Sequence, residues 1–178
     1  MRAADLTPVA RDVMKRPAGF GLIFISIVVA YLIAVLPWSG GWLLARPDLV
    51  LLVLVFWAVH EPRSVGQGLA FVVGLVMDVS DSMLMGQHAF AYVVAVYGAQ
   101  VLRLRILSFH LPEQTMHVLG IFTVAAVVML SLNLLLGAAF PGWGFIVSPI
   151  LTALLWAPAH WLLYSPAVRR DRRRGEPA

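Results

Sequence analysis

The sequence predicts an all-α polytopic membrane protein, a compact bundle of six transmembrane helices, and three observations carry that expectation. Apolar residues make up 61% of the 178 and charged residues 12%, about half the ~25% charged share of a soluble globular domain. The apolar residues gather into runs that approach the roughly 20 helical residues needed to cross ~30 Å of hydrocarbon. Of the 13 lysines and arginines, only Arg46 falls on the far side of the topology that these runs generate. A chain this apolar cannot cover itself with polar surface, so its solvent is largely lipid.

Residues 1–18 form a polar cytoplasmic leader carrying Arg2, Arg11, Lys15 and Arg16. The first span, 19–37, is too long for a signal-peptide core, and Leu36-Pro37-Trp38-Ser39-Gly40 has no small-x-small cleavage pattern, so it is expected to remain uncleaved. The next two spans, 42–60 and 65–83, have apolar cores (Leu49 to Val59, Val65 to Met77) of only about a dozen residues each, a length that also suits a re-entrant hairpin. Charge decides between the two. A re-entrant turn at His60-Glu61-Pro62-Arg63-Ser64 would leave Glu61 and Arg63 near hydrocarbon, at about 2.5–3.5 kcal/mol each. Two full crossings place that turn in water.

The remaining spans are 86–103, 115–138 and 145–165, the last carrying Pro149 and Pro158 as expected kinks, followed by a basic cytoplasmic tail, 166–178. The positive-inside rule then puts both termini in the cytoplasm. Trp38, Trp42 and Trp143 flank the outer ends of spans, and Trp161 and Tyr164 the inner end of the last, as an aromatic belt does; Trp57 reads as a further inner anchor. The whole chain, 1–178, reads as a single transmembrane domain.

Small residues recur at four-residue spacing along three spans: Ser26, Ala30 and Ala34; Gly66, Ala70 and Gly74; Ala91, Ala95 and Ala99. Each set lines one helical face and admits a close backbone neighbour, either within the bundle or from a partner's helix. Asp78 continues the Gly66 stripe by one turn, so it faces the bundle. At the C-terminal end of its helix it meets an unfavourable dipole and calls for a cation. Arg46 is the cation on that side, and an antiparallel hairpin turning at residues 61–64 sets it opposite residue 79. The residues therefore predict an Arg46–Asp78 ion pair, with a partner contact or an ion relay as alternatives. Pro47 suits a first helical turn and Asp48 complements that helix's positive end. Asn133, deep in the fifth span, is expected to hydrogen-bond across helices or to touch a ligand.

Several classes find no support. The pI near 10.1 comes from termini and short loops rather than from a basic patch interleaved with stacking aromatics, so nucleic acid is not implied. There is no cysteine, and the histidines (His60, His88, His110, His117, His160) lack a zinc-site spacing. No nucleophile, base and orienting group assemble from plausible neighbours, so neither an enzyme nor a bound cofactor is expected. Ser80-Asp81-Ser82 near His88 comes closest, and reads as a solvated capping loop.

Leu36-Pro37-Trp38, Arg46-Pro47-Asp48, Phe56-Trp57, Val65-Gly66, Gly74-Leu75 with Asp78, and Gly86, in that order and spacing, resemble the MreD family of rod shape-determining proteins. The likeness is densest over residues 36–92 and continues in Leu155-Trp156-Ala157-Pro158 and the basic tail. It departs at Phe56-Trp57, where the family often has Tyr-Trp, and around Ser80-Asp81-Ser82 and Met85-Gly86. The resemblance implies a non-enzymatic component of the bacterial cell-elongation machinery in the inner membrane. It would work with MreC, with the MreB filament, with RodA and with RodA's partner transpeptidase to direct lateral peptidoglycan synthesis. The family is also similar in architecture to the six-helix substrate-binding subunits of energy-coupling-factor transporters. That supplies an alternative, a small-molecule-binding membrane subunit of a vitamin-type transporter. A polar central cavity would favour the transporter subunit, and a closed apolar bundle with an exposed small-residue groove the scaffold.

Overall fold

A computed structural model describes residues 19–37, 46–81, 86–137, 140, 142 and 144–164. The basic termini and the outer tryptophans Trp38, Trp42 and Trp143 lie outside the described residues. Within them the chain is all-helical, with seven helices: α1 Phe20–Val35, α2 Leu49–His60, α3 Gln67–Ser80, α4 Gln87–Ser108, α5 Leu111–Leu135, α6 Gly144–Leu154 and α7 Trp156–Tyr164.

By length and apolarity α4 and α5 each suffice to cross a membrane, and α6 with α7 form a third such segment bent by 41°. The bend has a local cause. Pro158 has no N–H for the carbonyl four residues back, and its ring crowds that carbonyl, so the helix breaks at Leu155. α1, α2 and α3 are apolar but shorter; α2 and α3 span only about 18 and 21 Å as helix. Large apolar side chains point outward all round the molecule, among them Phe24, Val72, Tyr97, Val127 and Leu154. So much exposed apolar surface belongs in lipid. The molecule is a helical membrane protein.

α2 is the hub. Every residue from Val50 to Val59 is buried, which is what a helix apolar on all faces requires. α1 packs along it, burying Ile23, Ile27, Ala30 and Ala34 and leaving its other faces outward. α4 packs against α2 on another side, and α3 and α5 pack on α4. Although a short turn joins α2 to α3, the two do not pack along one another; α3 lies on α4. The hairpin register that set Arg46 opposite Asp78 therefore does not exist. The small-residue face of α3 explains why. Gly74 meets the backbone of Ala89 and His88 at the start of α4, so closely that a Cβ there would lie 2.6 Å from the Ala89 nitrogen.

Trp57 is no boundary anchor. It is fully buried, and its indole N–H donates to Ser26 Oγ at 2.9 Å, joining α2 to α1. The four-residue spacing places Ser26 on the face of α1 that meets α2, with Ala30 and Ala34. Ala91, Ala95 and Ala99 of α4 are likewise buried within this chain, as are Ala70 and Gly74, whereas Gly66 is half-buried.

Candidate functional site

At one end of the bundle the start of α2, the end of α3, the start of α4 and the facing parts of α5 and α6 bring together most of the chain's intramembrane polarity. Asp48 caps α2, its carboxylate accepting from Leu51 N at 2.9 Å. The Tyr92 hydroxyl of α4 donates to the same carboxylate, 2.8 Å from Oδ2. From α6, Thr152 Oγ1 accepts from the Asp48 backbone N–H at 2.9 Å, and Ser148 Oγ donates to the Arg46 carbonyl at 2.7 Å. One short segment, 46–48, thus ties three helices.

Asp78 is 0% exposed. Its carboxylate accepts from the backbone N–H groups of Gly86 at 2.8 Å, His88 at 2.7 Å and Ala89 at 3.4 Å, and from His88 Nδ1 at 2.9 Å. The expected cation is absent from this list. The compensation for the unfavourable end of α3 comes from the N-terminus of α4, whose free N–H groups and positive dipole end suit an anion. Gly86 makes the geometry possible. Its φ of 103° is left-handed, and that turns the chain so that successive N–H groups converge on Asp78.

Arg46 pairs instead with Asp81, one turn beyond Asp78: Nη1 and Nη2 each lie 3.3 Å from a different carboxylate oxygen. Asp81, in the turn that closes α3, therefore belongs to the polar cluster as well. His88 stands between the two aspartates, with Nε2 3.7 Å from Asp81 Oδ2, an ionic rather than a hydrogen-bonding distance. Both imidazole nitrogens thus face carboxylates. Among the described residues no cluster of three or more His, Asp or Glu is arranged to hold a metal ion.

The corrected pairing has a direct check. The Arg46 and Asp81 side chains are 20% and 22% exposed, so solvent screens the pair and its loss is expected to cost about 1 kcal/mol or less. In a double-mutant cycle on thermal unfolding, Arg46→Ala and Asp81→Ala should be non-additive by up to about 1 kcal/mol. Arg46→Ala with Asp78→Ala should be closer to additive. The reverse order of coupling would restore the Arg46–Asp78 pairing.

Beneath this cluster lies a cavity of about 430 Å³. Arg46, Asp48, Asp81, Gln87 and His88 are among its charged and polar lining residues, and Leu51, Met77, Phe122, Met129 and Phe145 among its apolar ones. Asn133 also lines it from α5, rather than bridging helices. Two carboxamides in one cavity wall are a feature that sequence reasoning missed for Gln87. The signal available was its position beside His88, immediately after the turn-forming Gly86.

The opposite end is built differently. Arg103 Nε donates to the Val59 carbonyl at 2.6 Å, satisfying the C-terminus of α2, and Gln100 donates to the Val65 carbonyl at 3.0 Å. His60, His160 and Tyr164 stack there beside Phe56. These groups fasten the α2–α3 turn to α4 and α7.

Comparison with known proteins agrees with this frame. A family model described as rod shape-determining protein MreD matches residues 15–165. The chain is 30% identical over 149 residues to a Rod shape-determining protein MreD from Haemophilus influenzae, covering 83% of this chain and 88% of that protein. No solved structure matches the chain.

Proposed function

We propose, on the premise that this chain belongs to the MreD family of rod shape-determining proteins, that it is a non-enzymatic scaffold of the cell-elongation complex in the bacterial inner membrane. The family match across residues 15–165 carries the reading. In this reading the chain binds MreC through its transmembrane helices. Through that complex it acts with the MreB filament, RodA and the partner transpeptidase to direct lateral peptidoglycan synthesis.

The proposal includes six spans with both termini cytoplasmic, α6 and α7 together forming the last, in an architecture like that of the energy-coupling-factor substrate-binding subunits. Supporting it, Arg63, Arg103 and Arg105 belong to the α2–α3 turn and the last turns of α4, whereas Arg46 belongs to the opposite end. Cysteine labelling is expected to reach positions 40, 82 and 142 from outside the cell and Arg63 and Phe109 only from the cytoplasm. External labelling at Arg63 would sink the two-crossing reading of α2 and α3.

The functional test is depletion. Rounded cells and loss of MreC from its membrane complex are expected, with uptake of every nutrient unchanged. Cells that keep their rod shape but acquire a requirement for one vitamin would overturn the scaffold reading.

A further inference from the structure

The cavity between the Arg46 cluster and the apolar faces of α5 and α6 is absorbed neither by the scaffold reading nor by the packing of the bundle. We infer that it is a binding site for an uncharged amphiphile whose head carries hydroxyl or carboxamide groups and whose short apolar tail rests on Leu51, Met77, Phe122 and Phe145.

Size is the first argument. About 430 Å³ lies within the roughly 300–1,000 Å³ range of small-molecule sites and well above the ~30 Å³ occupied by one water. The lining is the second. Apolar side chains and a few polar groups share it, the combination by which such sites hold and orient a ligand.

Gln87 is the third and most specific argument. It is 2% exposed, it stands in the cavity wall, and its amide nitrogen has no hydrogen-bond acceptor. Buried amide donors are normally satisfied, and one that is not marks a place where a partner belongs. Oxygen is the element that answers it. Asn133 adds a second carboxamide to the lining.

Charge selects among oxygen-bearing heads. The carboxylates of Asp48 and Asp81 line the cavity beside the guanidinium of Arg46 and the His88 imidazole. An anionic head would meet net repulsion there. A cationic head would be drawn to the carboxylates but could not accept from the Gln87 amide. An uncharged hydroxyl or carboxamide both donates and accepts. It matches a wall that offers aspartate oxygens and an unanswered N–H together.

The inference stands apart from the scaffold reading, and it is tested by binding alone. The full chain is reconstituted in phosphatidylcholine nanodiscs, and three probes with the same seven-carbon alkyl tail are titrated below their micellar concentrations: octanoyl-N-methylglucamide, octanoate and heptyltrimethylammonium. Binding is corrected for empty nanodiscs. The glucamide is expected to bind saturably at one site per chain, at least tenfold more tightly than either charged probe.

Gln87→Leu should weaken glucamide binding at least tenfold, and Ala126→Phe, which fills the cavity from α5, should abolish it. Circular dichroism and gel filtration establish that each variant is folded. If Gln87→Leu does not fold, Ala126→Phe decides alone. Glucamide uptake no greater than in empty nanodiscs, equal binding of the three probes, or native affinity in the folded variants would overturn the assignment.

Discussion

Asp78→Ala is expected to remove most of the protein from the membrane. The carboxylate is wholly buried and accepts three backbone N–H groups and one imidazole nitrogen from the first turn of α4. Alanine leaves all four donors stranded in a low-dielectric setting. For a buried, hydrogen-bonded charge such a loss costs about 3–5 kcal/mol, against a total stability of roughly 5–15 kcal/mol. Asp78→Asn keeps one acceptor oxygen but turns an N–H₂ toward donors, so it should fall between. Abundance by immunoblot and midpoint temperature in detergent check both. If Asp78→Ala gives native abundance and melting, the anchoring role is wrong. If it gives native abundance with loss of MreC association, Asp78 is a partner contact instead.

Gly74→Ala is expected to be the costliest single methylene in the chain. A Cβ at that position would lie 2.6 Å from the Ala89 nitrogen and 2.8 Å from the His88 carbonyl carbon. Those atoms are helix backbone and cannot rotate aside. Overpacking of this kind costs about 1–3 kcal/mol, and more where the obstacle is rigid. The shift also withdraws the α4 N-terminus from Asp78, so the Gly74 and Asp78 substitutions should be coupled rather than additive. Gly98→Ala supplies the control. Nothing lies within 4 Å of its Cβ position, and alanine there should be neutral or stabilising by up to about 1 kcal/mol. Equal destabilisation by the two changes would refute the close approach.

The residues that could be read from sequence were those whose environment is local. Asp48 was readable as an acid at the positive end of α2, because that relation is settled within four residues, although the helix starts after Asp48 rather than at Pro47. The break near Pro158 follows from the ring alone. Asp78 was readable as bundle-facing because helical spacing extends the Ala70–Gly74 stripe by one turn. What spacing cannot say is which helix a face meets. The chain joins α2 to α3, yet α3 packs on α4, so the partner assigned to Asp78 by hairpin arithmetic was displaced by a helix end. The partner of Asp81 was hidden for the same reason. That aspartate lies one turn from Asp78, at the C-terminal end of α3, and only the position of Arg46 in space reveals its role. Trp57 was misread because tryptophan near a span end usually marks the lipid interface, while here an indole N–H found a half-buried serine of α1.

The burial of α2 on every side constrains the order in which this protein can be assembled. A newly inserted membrane helix ordinarily keeps a face toward lipid for as long as it remains unpartnered, and α2 in its final place has none. Asp48 is not fully tied down until Tyr92 and Thr152 arrive, and Phe56 meets Trp156 and His160 only when α7 is in place. The second helix synthesised is therefore among the last to be finished. A chain cut short before α6 would hold its central helix half enclosed, with the Arg46 segment stripped of the Ser148 and Thr152 hydroxyls that hold it. Completion of the hub waits on the C-terminal helices, so whatever gathers around this bundle meets a finished surface only once the whole chain has entered the membrane.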